Sequence, residues 1–230
     1  MVKKFILKIS SLIFLFVLLS VMKIDAYSSI ININSEKNKL ASSITHNSTN
    51  SIKVSPMDKE RFWSIIERSR SFDQNISCIF LKMEFTTLSI GEIQQFSQIM
   101  SIYTEKLNTP SLQMACKVIN GEYDQMEFIY FAWWIISQGQ DVYHKVLKDP
   151  DLLSELDITQ GSAKFEEFGK VANNILIRSK EPLEEYALSD DQMRALDKGT
   201  IFEEKFPYDQ SKWKEIIPRA IPKLYEKFGK

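Results

Sequence analysis

The sequence predicts an all-α fold: a single compact multi-helix bundle of about seven to nine helices, preceded by a signal sequence and a disordered tether. Three observations predict it. Helix-starting boxes of the Ser/Asp-x-x-Glu/Gln type recur at Ser89, Asp124 and Ser189. The runs after the first two carry apolar residues at spacings of three and four. Only seven glycines in 230 residues leave few turns for a sheet.

The chain opens with the basic stretch Met1 to Lys8, then the mostly apolar run Ile9 to Met22, then Ile24-Asp25-Ala26. That is the order of a secretory signal, with cleavage expected after Ala26. The apolar run makes about 21 Å of helix, short of the roughly twenty residues that a spanning helix needs. An uncleaved anchor is the alternative, and it would be the chain's only membrane contact. No cysteine stands near this run, which excludes a lipoprotein signal. Export to the periplasm, cell envelope or exterior follows. Loss of residues 1 to 26 removes four lysines and one aspartate and moves the formal charge from -1 to -4. An acidic chain lacks the basic face that a nucleic-acid partner requires.

Half of residues 27 to 56 are Ser, Thr or Asn, too polar to offset the entropy of ordering, so this stretch reads as a tether. The helical domain is expected over 57–230. Ser55-Pro56-Met57-Asp58 combines a capping residue, a proline and a carboxylate, and predicts the first helix start. Phe62, Ile65, Ile66 and Ser69 share its buried stripe. Cys78 to Phe85 has strand composition but helical neighbours, and reads as helix. Ser89-x-x-Glu92 opens a helix carrying Ile93, Phe96, Ile99, Met100 and Tyr103. Asn120-Gly121 reads as a helix stop.

Asp124-x-x-Glu127 opens the helix through FIYFAWWIISQG, Phe128 to Gly139, and Gly139 is expected to close it in a left-handed conformation. Phe128, Phe131, Ala132 and Ile135 make one stripe along it, and a helix apolar nearly all round is the central member of a bundle. A short helix over Asp141 to Leu147, the turn Lys148 to Asp151, a long helix from about Ser162 to Ser179 and closing helices through Trp213 and Phe228 complete the set.

Catalytic signatures are sparse. His46 lies in the tether, which leaves His144 alone for any triad or histidine metal site. Asp149-Pro-Asp151 is followed by leucines where a calcium loop needs oxygen ligands. Gly161 to Lys164 lacks the second glycine and the Lys-Ser/Thr of a phosphate loop. No cofactor and no metal are predicted. The weak catalytic candidates are Asp124 and Glu127, as acids of a carboxylate-based hydrolase beside the aromatic helix. The weak ligand-binding candidates are Tyr130, Trp133 and Trp134. Cys78 and Cys116 are two buried thiols or, in an oxidising compartment, one disulfide. The leading expectation is a non-catalytic module that binds another envelope or extracellular protein.

The chain also resembles a bacterial family, the domain of unknown function 4240, over about residues 57–229. The matching segments are Phe62-Trp63-x-x-Ile66, Phe128 to Gly139, Val142-Tyr143, Asp149-Pro-Asp151, Glu167-Phe168 with Val171-Ala172, and Pro222 to Gly229. The resemblance implies a helical domain with no established activity. It also implies basic residues after Phe131 and Gly139, where this chain has Ala132 and Gln140, so an anion site built on them would be missing.

The signal is tested by the mass of the chain recovered from the envelope and exterior fractions. Tyr27 is the expected first residue; recovery of intact Met1 in the membrane fraction would sink cleavage.

Overall fold

The computed structural model describes residues 57–180, 186–197, 206 and 208–229. The predicted signal sequence and tether lie outside them, as do Ser55 and Pro56. In chain order come α1 (Lys59–Ser69), α2 (Gln74–Phe85), α3 (Ile90–Lys106), α4 (Pro110–Asn120), α5 (Gln125–Ser137) and α6 (Gln140–Lys148). A 3-10 turn (Pro150–Glu155) leads to α7 (Glu166–Ser179), α8 (Asp190–Asp197), a second 3-10 turn (Gln210–Lys212), α9 (Trp213–Ala220) and α10 (Pro222–Phe228). The described residues contain no strand, so the all-α class holds. The described residues hold ten α-helices, against an expected count of about seven to nine, and Pro222 starts the last of them.

The local signals are realised with informative differences. Asp58, rather than Ser55, caps α1, its carboxylate accepting from Arg61 N at 2.8 Å. The ambiguous run Cys78–Phe85 is helical, and Asp73 caps α2 through Asn75 N and Ile76 N. Ser89 and Glu92 form the full reciprocal box on α3, and Ser189 with Gln192 does the same on α8. Gly121 stops α4 at φ 84°. The long helix begins at Glu166 instead of Ser162 because the preceding residues are held by other partners. Asn120 exchanges two hydrogen bonds with the Ala163 backbone, and Phe165 N donates to Tyr130 O.

Gly139 departs from expectation. Its φ is 96°, but its ψ of 171° is extended, and it caps the start of α6 instead of ending α5 in the left-handed helical well. Having no side chain, it offers α6 no cap. Glu67 of α1 supplies one, its Oε1 accepting from Gln140 N at 3.1 Å, and a Cβ at Gly139 would strike the Glu67 and Arg70 side chains.

Packing centres on α5, which touches α1, α3, α4, α6 and α7. Phe128, Phe131, Ala132 and Ile135 are all buried, as the predicted stripe required. A second centre is aromatic, where α1, α3 and α6 meet. Phe62 lies 4.7 Å from Phe96 and 5.2 Å from Tyr103 between ring centroids, and Trp63 lies 5.1 Å from Tyr143. Tyr143 Oη donates to Tyr103 O at 3.0 Å, so the buried hydroxyl is satisfied.

Two ion pairs join the rim of this core. Arg68 holds the buried Glu84 through two bonds of 2.9 and 2.7 Å. Arg61 meets Glu92 at 2.5 Å. Burial pushes the Glu92 carboxyl up, but the Ser89 donors and Arg61 outweigh it and hold it below the usual range.

The turn predicted over Lys148 to Asp151 leads into the 3-10 turn and has an added role. Asp149 caps the 3-10 turn through Asp151 N. Asp151 is itself buried and accepts from Lys223 N and Leu224 N at 3.1 and 2.9 Å. It therefore caps α10 from 72 residues away in the chain.

The adjacent tryptophans separate cleanly. Trp134 is buried and stacked on Phe131 with an interplanar angle of 15°, whereas Trp133 is half-buried. In a urea melt, Trp134→Ala should cost about 3–5 kcal/mol, and Trp133→Ala clearly less. Equal losses would overturn this division.

Candidate functional site

The outward side of α5 borders two cavities. The capping geometry at Asp124 sets the helix between them. Asp124 Oδ1 accepts from Met126 N and Glu127 N, at 2.7 and 2.9 Å, but Glu127 does not complete the box. Its carboxylate turns instead toward Lys164 Nζ, 3.5 Å away.

The smaller cavity, about 270 Å³, lies between α2, α5 and the start of α7 and is lined by Glu127, Tyr130, Lys164 and Glu166 among others. Tyr130 Oη donates to Glu166 Oε1 at 2.9 Å, and Glu166 also pairs with Lys170. The bond to Glu166 pushes the Tyr130 phenol up, while Lys170 and then Tyr130 hold the Glu166 carboxyl down. Tyr130 is thus tied into an exposed polar network.

The larger cavity, about 690 Å³, is a groove between α3 and α5. Trp133, Tyr123 and Phe128 line it from α5 and the residues before it. Glu105 faces them from α3 and Asn108 from just beyond its end, and Asp124 and Gln125 lie at the α5 end. Its volume falls within the range of small-ligand sites. Trp133 is held by close contact with α7: a Cβ added at Gly169 would run into the indole ring. Glycine at 169 therefore sets how deeply Trp133 sits.

The predicted site residues do not converge. Asp124 lines the larger cavity and Glu127 the smaller. Trp133 lines the larger, Tyr130 the smaller, and Trp134 neither, being buried in the core. His144 is half-buried beside Trp63 and Tyr143. Burial, then Lys59 and Lys106, push its imidazole below the ordinary range.

Among the described residues no group of three or more metal-ligating side chains gathers. The disulfide left open between Cys78 and Cys116 is not formed in this structure: both are buried free thiols, on α2 and α4, and burial pushes Cys116 up to about 12.

Sequence reasoning missed the α3 wall of the groove. Ser101, Thr104 and Glu105 stand at i, i+3 and i+4, a polar stripe beside the apolar one that ends at Tyr103, and Asn108 extends it just past the helix end. The spacing was readable, but a polar helix stripe is ordinarily a solvated face.

Gly169→Ala tests the setting of Trp133. Overpacking should destabilise by about 1–3 kcal/mol, outweighing a helix-propensity gain of about 1 kcal/mol. In a Trp133→Ala background the same change should turn neutral or stabilising. An unchanged penalty there would show that Trp133 is not what Gly169 accommodates.

The chain matches no curated protein and no solved structure. A family model described as Protein of unknown function (DUF4240) matches residues 57–177, from the start of α1 nearly to the end of α7, and stops short of the Pro222–Gly229 segment that the sequence resemblance included. With more than half of its length matched, the chain belongs to that family of unknown function.

Proposed function

We propose that this is an exported, tethered helical module that acts by binding another envelope or extracellular protein, without a catalytic step. One observation carries the reading: α2 is apolar on its outer side as well as its inner side. Ser77, Cys78, Leu81 and Phe85 face the core. Ile76 and Ile79, one helical turn apart, remain 42% and 51% exposed, and Phe72 in the preceding loop is fully exposed. The half-buried Phe80 and Met83 continue this side. Exposed large apolar residues grouped on one element mark contact surfaces more than isolated ones do. Export rests on the basic and apolar order of residues 1 to 26.

The hydrolase alternative would have to replace Glu127 by Glu105, which shares the larger cavity with Asp124. Asp124 Oδ1 is already occupied by two backbone donors of α5, so its helix-capping role competes with proton transfer.

The binding reading is tested by a photocrosslinking residue placed at position 79 in the native host. A discrete adduct, identified by mass, should form with the otherwise unchanged chain. The adduct should fall at least about tenfold when Phe72→Ser and Ile76→Ser are added, since each removes an apolar contact of about 1 kcal/mol or more. Unchanged melting of the double variant keeps the result from being a folding effect. Absence of any discrete adduct, or one indifferent to both serines, would overturn the reading.

A further inference from the structure

The α3/α5 groove combines charge and aromatic surface in a way that selects one ligand chemistry. Its described lining includes the carboxylates of Glu105 and Asp124 and no Lys, Arg or His. The next residue along α3, Lys106, is turned away: its ammonium donates to Leu196 O at 2.6 Å and lies over the Tyr103 ring. The Glu105 carboxylate is exposed and holds no ion pair or hydrogen bond among the described residues. An anionic ligand would meet two like charges and no donor cation. A wholly apolar ligand would strand the carboxylates and the Gln125 amide.

The aromatic wall adds an independent requirement. Trp133, Tyr123 and Phe128 line the same cavity, and the indole is held from behind by α7 at Gly169. Aromatic faces attract organic cations, most strongly where water is partly excluded. Carboxylates at the rim of a cleft raise the local concentration of positive charge further. Tyr123 packs edge-on against the buried Trp213, 5.0 Å between centroids, which fixes the far end of the wall.

We propose that this groove receives a lysine or arginine side chain of a protein partner, with the cationic head between Glu105 and Asp124 and the alkyl stem along Trp133 and Phe128. The inference rests on the protein-binding reading above and names the partner chemistry at a second surface. A mature chain of net charge -4 suits a partner that presents basic side chains.

The test uses the nitrogen-15-labelled full-length chain and blocked pentapeptides of glycine with one central lysine, arginine, norleucine or glutamate, with spermidine as a separate arm. The Trp133 indole and Gln125 side-chain amide signals are followed by NMR. Lysine and arginine peptides should shift both signals saturably, and norleucine and glutamate peptides should not. Glu105→Gln, an exposed change, should weaken binding about three- to fivefold without moving the melting temperature.

Absence of a shift with either basic peptide, or an equal shift with norleucine, would overturn the proposal. Tighter binding of spermidine than of both basic peptides would also overturn it, by making the occupant a free polyamine. The crosslinking experiment at position 79 separates the two readings. A captured partner with a silent groove removes only this inference, and a responsive groove with no captured partner removes the protein-binding reading and with it the protein partner named here.

Discussion

The whole arrangement depends on one constraint: α5 has almost no face that water can accept. From Phe128 to Ile136 every residue is apolar or aromatic, so the helix must be enclosed. Five helices enclose it, and their positions follow from what each presents to it. Helix α7 approaches closely because Gly169 leaves room for the Trp133 ring. Trp134, one residue on and rotated by about 100°, turns to the core and stacks on Phe131. A single helix thus supplies both the centre of the core and the aromatic wall of the groove.

Long-range capping is the second organising device. Helix ends leave backbone donors and acceptors that must be satisfied. Most starts here use the preceding side chain, but α6 and α10 begin at Gly139 and Ile221, neither of which provides a side-chain cap. Glu67 and Asp151 act for them from distant parts of the chain. Asn120 similarly joins the end of α4 to the segment before α7. These contacts couple elements that lie far apart in the chain. They also account for several polar residues in recognisable segments without any need for chemistry there.

Two surfaces carry the functional argument, and they differ in kind. The outer side of α2 is apolar, suited to contact area. The α3/α5 groove is concave, acidic and aromatic, suited to selecting a charged group. Specificity for a partner requires the second kind of feature, because apolar area alone discriminates weakly. Asp124 and Glu127, the acids that the sequence offered for hydrolysis, line different cavities, and the Glu127 carboxylate turns toward Lys164.

The sequence by itself determined the helical class, the capping boxes at Ser89 and Ser189, the stop at Gly121 and the buried stripes of α1, α3 and α5. All of these rest on interactions between residues three to five apart, which short-range spacing encodes. It could not decide which of Trp133 and Trp134 is buried, because both flank the apolar stripe and only the placement of α7 distinguishes them. Nor could it show that Asp151 caps α10, that Glu67 caps α6, or that the polar stripe of α3 faces Asp124. Those outcomes join residues from roughly twenty to seventy positions apart, and only the packing of α5 against its five neighbours brings them within reach.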